Sequence, residues 1–559
     1  MSAQERPVPA SLQRQRVAWY AAIVALAVVA SATSLSNGFA MDDLALVADN
    51  ERVHSLHAWW RLFTLPYWPA QYGASLYRPL VTIGYTLQWT IGNGAPWVFH
   101  LTSVALYAVL CALVLAFLLD LLGAIPALIA AALFAVHPVH VEAVGNVVGQ
   151  AELLAAAAAV GACVIYVRAR RANRLGAGAI TSIGLLYAIA CLCKEHALLL
   201  PMLLAVTEWF GAARHDSATA NELAAKLRAI APLFVGLFCI AVAYLIARTL
   251  VVGELLGEKH LVPVFGVRRL WVMLVVVPHW VRLLVWPAHL SAEYSPRHIA
   301  IPDAPGPEIV LGSALLVTLA ALFVALGRSA EPSRAERAAA RFALAWLAVT
   351  LLPVSNLFSV MLVAERTLLL PSLGAMVFVG AAMSWAMQEA TRPARVALAT
   401  AAAVLVAAGA IRSSDRQRVW SDDATLFAQT AEDAPRSYRA QFFYGQLLFQ
   451  HGRHAEGERH LKLAIALNPT QSDVSPLNYL ATMYRDAGLC PQALPLYEQA
   501  LANDAARPDV RYGLAACLLA TGRVDEARRL AQDGVRRGDL KSLFIQLIAK
   551  SDSLLSPSD

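Results

Sequence analysis

Two adjacent carboxylates close a short segment, Gly38-Phe39-Ala40-Met41-Asp42-Asp43, directly after the first apolar run of the chain. A carboxylate just outside a membrane can act as a general base when an acceptor hydroxyl comes within hydrogen-bond reach, and it can equally do no more than solvate the interface. The same stretch continues through Trp59, Trp60, Tyr67 and Trp68 to Tyr77-Arg78-Pro79-Leu80. Aromatics in such a place form an interfacial belt more readily than a sugar-stacking platform. Arg78 carries two readings: a guanidinium at headgroup depth suits a lipid-linked phosphate, or the side chain simply snorkels to water. Further on, Ala135-Val136-His137-Pro138-Val139-His140-Val141-Glu142-Ala143 precedes Asn146, Gln150 and Glu152. Two His and a Glu with no third His or Cys fall short of a zinc set, so a hydrogen-bonded cluster lining a cavity is the better reading. Lys194-Glu195-His196 lies between two short apolar runs, and Glu365-Arg366 lies in a very short connection. Charges there require pairing or a functional cavity, and a Lys194 to Glu195 network is the simplest internal arrangement.

The elements that must position these groups are membrane helices. The chain has 559 residues, 58% apolar against 15% charged, with a mean hydropathy of +0.54, which excludes an ordinary cytosolic protein. Runs of spanning length read at 17–35, 97–119, 123–139, 147–167, 177–193, 196–210, 229–250, 308–327, 342–360, 367–387 and 396–411, about eleven in all. The first resembles a signal peptide, but the many spans behind it make it a retained helix. Loops carrying Arg168, Arg170, Arg171 and Arg174, then Arg214, Lys226 and Arg228, then Arg328, Arg334, Arg337 and Arg341, then Arg392 and Arg395 share the side of the N-terminus. By the positive-inside rule residues 1–16 are cytoplasmic, and the long loops 36–96 and 251–307 are external. Leu270 to Pro287 is apolar enough to cross, yet crossing would invert every later loop, so it is predicted as a re-entrant or surface-lying helix broken at Pro278. The asymmetry of Arg and Lys accounts for the net charge of +6, and no basic stripe interleaved with aromatics points to nucleic acid. Seven cysteines form no C-x-x-C pair, and nothing in their spacing requires Cys490 and Cys517 to join.

From about residue 412 to 559 the composition turns charged and amphipathic. Gly445, Gly452, Leu461, Ala464 and Pro469 recur 36 residues later as Ala481, Gly488, Tyr497, Ala500 and Ala505, and Ala515, Gly522 and Ala527 follow Ala481, Gly488 and Ala493 at an offset of 34. That period is the tetratricopeptide repeat (TPR), and three repeats are about the minimum that stack a shared core. The fold expected is all-α: a polytopic domain over 17–411 followed by an external TPR solenoid over 412–559, whose groove can hold a peptide, a partner protein or nothing.

An acidic pair in the first external loop, about eleven spans and an external TPR tail resemble the GT-C class of membrane glycosyltransferases. Met41-Asp42-Asp43, Tyr77-Arg78-Pro79-Leu80, His137 to Ala143, Lys194-Glu195 and Ala364-Glu365-Arg366-Thr367-Leu368-Leu369-Leu370-Pro371-Ser372 are similar, in the same order, to motifs of the transmembrane-and-TPR-containing protein O-mannosyltransferases. The chain resembles a bacterial-type member, with about three repeats where animal members carry many. The resemblance implies an inverting transfer of a sugar, mannose by analogy, from a polyprenyl-phosphate donor to Ser or Thr hydroxyls of exported proteins. It implies Asp42 as base, with Asp43 orienting it or taking its place; Arg78, Arg366 and Lys194 as phosphate ligands; and His137, His140, Glu142, Glu195 and Glu365 around the pocket. No cofactor and no obligatory divalent metal are expected, since cationic side chains take the metal's place. The implied setting is the inner (plasma) membrane, the TPR domain periplasmic or extracellular, with the bilayer, the lipid-linked sugar and an exported acceptor as partners. Two rivals stay open: a transferase acting on a glycan or lipid acceptor, and a non-catalytic TPR scaffold. A transporter fits less well, because no internal repeat appears among the spans.

Overall fold

A computed structural model describes residues 10–73, 75–212, 220–253, 264, 266–302, 304–328, 334–357, 362–468, 473–538 and 540–555; Arg214 and Pro469 lie outside them. Among the described residues no β-strand forms, apart from an isolated bridge between Pro296 and Ile299. Two compact units result, one of residues 1–292 and 302–426, the other of 293–301 and 427–559.

The first unit contains α1 (Ala10–Ser31), α2 (Pro79–Gly92), α3 (Pro96–Leu121), α4 (Ala124–Ala135), α5 (Val141–Gly145), α6 (Gln150–Arg171) and α7 (Ala177–Cys193). It continues with α8 (Leu200–Ala212), α9 (Ala220–Val252), α10 (Val267–Val285), α11 (Pro307–Arg328), α12 (Arg334–Leu351), α13 (Leu369–Glu389) and α14 (Arg392–Gln417). Every predicted span falls on one of these helices. Seven stretches among the described residues are long and apolar enough to cross a membrane, and an eighth joins them if Ala124–Ala135 and Pro138–Gly145, bent by 48°, form one broken span. The bend sits where Pro138 holds His137 extended and removes a helical N–H. α7 and α8 are shorter, at 17 and 13 residues. α12 ends at Leu351, short of the predicted 360.

α6 is the centre of this unit: 78% of its apolar stretch is buried, against 6% for α11 and α14. Its run of alanines lets α3 and α7 approach closely, while α11 and α14 present Leu and Val outward, as a lipid-facing helix must. Contrary to expectation, α10 is not broken at Pro278; the helix runs through it. Val272, Val275, Val276, Val277, Trp280, Leu283 and Leu284 bury one face, and that packing offsets the single hydrogen bond Pro278 removes. α10 is not among the described stretches long and apolar enough to cross a membrane.

The second unit pairs α16 (Tyr438–Gln450) with α17 (His454–Leu467), α18 (Ser475–Asp486) with α19 (Cys490–Asn503) and α20 (Pro508–Ala520) with α21 (Val524–Arg537), followed by α22 (Lys541–Leu555); α15 (Asp423–Asp433) precedes them, its residues up to Leu426 belonging to the first unit. The repeat positions read from sequence do the packing: Leu461, Ala464, Ala481, Tyr497, Ala500, Ala515 and Ala527 are all fully buried. Gly452, Gly488 and Gly522 turn each pair with φ of 78°, 75° and 81°, a left-handed backbone that favours glycine. Cys490 and Cys517, left open by their spacing, form a disulfide with a Cα–Cα distance of 5.1 Å. The loop segment 293–301 is integral to this unit: Glu293 pairs with Arg439 at 3.1 Å, and the Ser295 and Ser437 hydroxyls meet at 2.6 Å.

Candidate active site

Asp42 and Asp43 are adjacent in sequence, yet they meet different surroundings. The Asp43 carboxylate accepts the backbone N–H groups of Val147 (3.1 Å) and Val148 (2.9 Å), at the turn that leads into α6. Asp43 is 1% exposed, and burial, with the Asp42 charge adding to it, pushes its carboxyl up to about 7 against the pull of those amides. The Asp42 side chain keeps 22% of its surface open and lies 3.7 Å from Nη1 of Arg366. One carboxylate of the pair is therefore committed to the scaffold, while the other faces a cation.

Arg366 is held by Glu142 twice, its backbone N–H donating to Oε2 at 2.9 Å and its Nη1 lying 3.1 Å from Oε1. Arg78 makes a fork with Glu195, Nε donating to both oxygens at 3.3 Å and Nη2 to Oε2 at 2.9 Å, and its guanidinium stands 5.1 Å over the Tyr67 ring. Its side chain is only 11% exposed, so it points inward and does not snorkel. Lys194 Nζ pairs with Glu152 Oε1 at 2.6 Å. The expected Lys194–Glu195 network is thus replaced by two separate pairs. At φ −157° and ψ 137° the backbone of Lys194 is extended, so consecutive side chains leave in opposite directions, one toward α6 and the other toward Arg78. Glu365 and Arg366 divide the same way, Glu365 Oε1 accepting the Ser291 N–H at 2.6 Å.

These pairs form one electrostatic cluster. Burial and the nearby Arg78 charge hold Lys194 below its ordinary value against the pull of Glu152, and Arg366 contributes as well. Burial raises Glu195, but Arg78 beside it outweighs that and holds the carboxyl down at about 2. Arg78, Arg366 and Lys194 each have a carboxylate partner, but Arg78 retains Nη1 donors that bond to nothing among the described residues.

The two histidines are bound into the scaffold. His137 accepts the Val139 N–H on Nδ1 and meets the Leu284 carbonyl with Nε2, and His140 sits between the Tyr107 and Ser372 hydroxyls at 2.8 and 2.7 Å. Through them the segment before α5 is tied to α10, α3 and α13. Among the described residues no group of three or more His, Cys, Asp or Glu is placed to hold a metal ion. Beside His137 opens a cavity of about 1240 Å³, walled almost wholly by apolar side chains such as Trp280, Leu284, Leu319, Phe378 and Val379, with Arg412 at its lining. Glu152, read from the sequence only as a member of the polar cluster after His140, is the carboxylate that Lys194 meets; its signal was an acidic residue just ahead of the apolar stretch of α6, which has to find a cation.

Two tetratricopeptide repeat family models match residues 420–472 and 484–550. Over 231 residues the chain is 34% identical to protein O-mannosyl-transferase Tmtc2 of Drosophila melanogaster, covering 40% of this chain and 24% of that one. It is 25% identical over 549 residues to protein O-mannosyl-transferase Tmtc1 of the same fly, covering 83% and 63%. With protein O-mannosyl-transferase F38B6.6 of Caenorhabditis elegans it shares 23% identity over 468 residues, covering 80% and 62%. The chain thus spans between about a quarter and somewhat under two thirds of the length of these relatives. The crystal structure of yeast Tom70 aligns with 76% of this chain at 12% identity and a TM-score of 0.22, too weak a likeness to bear on fold or function.

Proposed function

We propose that this homologue of the TMTC protein O-mannosyl-transferases is a membrane glycosyltransferase that moves a sugar, mannose by the names of its relatives, from a polyprenyl-phosphate donor to Ser or Thr hydroxyls of exported proteins. The observation that carries this reading is the division of labour in the acidic pair: Asp43 is spent on two amides, and Asp42 is left open beside a cation-rich cluster. A phosphate is already a good leaving group, so the residues have two tasks, to take the proton of the acceptor hydroxyl and to neutralise the departing phosphate. Asp42 is the base. The hydroxyl oxygen attacks the anomeric carbon from the face opposite the phosphate, its proton passes to Asp42, and the carbon–oxygen bond to phosphate breaks with its electron pair on the phosphate, inverting the centre. Arg78, through its Nη1 donors, and Arg366, placed between Asp42 and Glu142, are the phosphate ligands, with Lys194 tuning the field beside them. His137 and His140 shape the pocket by holding its walls.

The apolar cavity suits the prenyl tail of a lipid-linked donor, a hydrocarbon chain that meets an apolar lining there as it does in the bilayer. The Cys490–Cys517 disulfide supports an external TPR unit, because such bonds persist in oxidising compartments. TPR grooves commonly engage polypeptide, which favours a protein acceptor. The test is glycopeptide mass spectrometry of envelope proteins from cells expressing wild type or Asp42→Asn at equal level. Loss of hexose-sized increments on Ser or Thr in the variant is expected; identical spectra would reject protein glycosylation through Asp42.

A further inference from the structure

The loop that presents Asp42 has an unusual backbone. Met41, a non-glycine residue, sits at φ 56°, a left-handed conformation that persists only where the surroundings impose it. Those surroundings come from the far end of the same unit. Asp423 Oδ1 accepts the Met41 N–H at 2.6 Å, Gly38 N–H donates to the Ser421 carbonyl at 2.8 Å, and the Asn37 amide donates to the Gln417 carbonyl at 2.8 Å. A Cβ on Gly38 would stand 3.1 Å from the Ser421 oxygen, so the two backbones are in close contact. Asp423 is not needed to cap its own helix, because the neighbouring Asp422 already accepts the Thr425 N–H at 2.8 Å. On the other side of the loop Asp43 grips Val147 and Val148. Asp42 is therefore the middle residue of three, with each neighbour pinned by a carboxylate–amide bond.

We infer that Asp423 is a positioning residue for Asp42, acting by holding the Met41 backbone amide so that the Asp42 side chain is aimed beside Arg366. This rests on the glycosyltransferase reading. Released from Asp423, Met41 relaxes toward negative φ and the Asp42 carboxylate turns away from its place. What Asp423 supplies is an acceptor atom at one position, not a charge. An asparagine there can fill the role, whereas a glutamate, with the same charge one methylene further out, cannot.

The experiment uses the full chain in lipid nanodiscs with polyprenyl-phosphate mannose and a short Ser/Thr peptide, read by kcat and KM and by hydrogen exchange of the peptide spanning Met41. Asp423→Ala is expected to lower kcat roughly ten- to hundredfold, the cost of leaving the Met41 amide without its acceptor, with both KM values unchanged and the Met41 amide exchanging faster. Asp423→Glu follows it, and Asp423→Asn recovers to within about threefold of wild type. Unchanged kcat and protection in Asp423→Ala, or an Asn variant as impaired as the Ala one, overturns the inference. A wild type that transfers no sugar overturns the glycosyltransferase reading instead, and the exchange data then decide alone whether Asp423 holds the loop. If the Ala chain does not fold, the contrast between Asn and Glu decides in the same way.

Discussion

The ion pairs around Asp42 in the membrane unit and those along single helices of the TPR unit are built on opposite plans, although longer-range pairs such as Arg439 with Glu293 and Arg511 with Asp533 also occur in the latter. In the membrane unit they join residues far apart in sequence, Arg78 with Glu195 across 117 positions and Arg366 with Glu142 across 224, and their side chains are mostly withdrawn from water. In the TPR unit Arg453 with Glu456, Lys462 with Glu458 and Arg523 with Glu526 are three or four residues apart on one helix and lie in the open. Exposed neighbours of this kind are screened by water and hold little in place. Buried pairs are costly to desolvate and are often replaceable by apolar residues without loss of stability, so their retention points to a task beyond stability. The membrane unit accepts that cost around Asp42, and again where Arg170 meets Glu208.

Four substitutions or conditions press on this difference. The largest effect belongs to Asp42→Asn, which is expected to cut kcat by about 10²- to 10⁴-fold, the usual worth of a general base, while thermal unfolding in detergent is unchanged. A matching fall in unfolding temperature would make Asp42 structural. Next, Arg366→Met leaves buried Glu142 without its cation and should cost about 3–5 kcal/mol, read as lower yield and unfolding temperature. The double variant Arg366→Met with Glu142→Leu should regain much of that stability and none of the activity; recovered transfer would show that the pair has no chemical role.

A smaller, pH-dependent effect follows from Asp43. Its carboxyl sits at about 7 in the folded chain against 3.8 for an ordinary aspartate, so between those values the folded state holds more protons than the unfolded one. Its contribution is fully present below about pH 4 and is lost as pH rises through about 7. Unfolding temperature should therefore drop across that window in wild type, and the drop should be reduced in Asp43→Asn; parallel curves would count against it. The smallest effect is expected for Arg523→Ala, whose exposed pair with Glu526 should leave both unfolding and transfer unchanged; a clear loss of either would erase the contrast between the two units.

Much of this architecture was legible in residue patterns. Long apolar runs predicted the membrane helices, and the recurrence of Gly452 at Gly488 and Gly522 predicted the TPR turns, because both signals are local: a helix of about twenty apolar residues, or a glycine at positive φ, needs no distant partner to declare itself. The polar residues that the candidate cluster draws on, from Asp42 to Arg366, are legible in the sequence as well. Their pairing is not. Lys194 with Glu195 was the obvious choice by sequence and is absent, because an extended backbone sends the two side chains to different helices. Likewise Pro278 announced a break that packing of the α10 apolar face overrode.

Sequence alone determined where the charges of this protein are and that they lie at the ends of apolar segments, since composition and periodicity are properties of the chain itself. Only the tertiary structure decided which aspartate of the pair is open, which carboxylate each cation meets, and that Asp423 closes on a loop 382 positions away. The physical reason is that burial and ion pairing depend on the distance between groups in space, which helix packing sets and sequence separation does not.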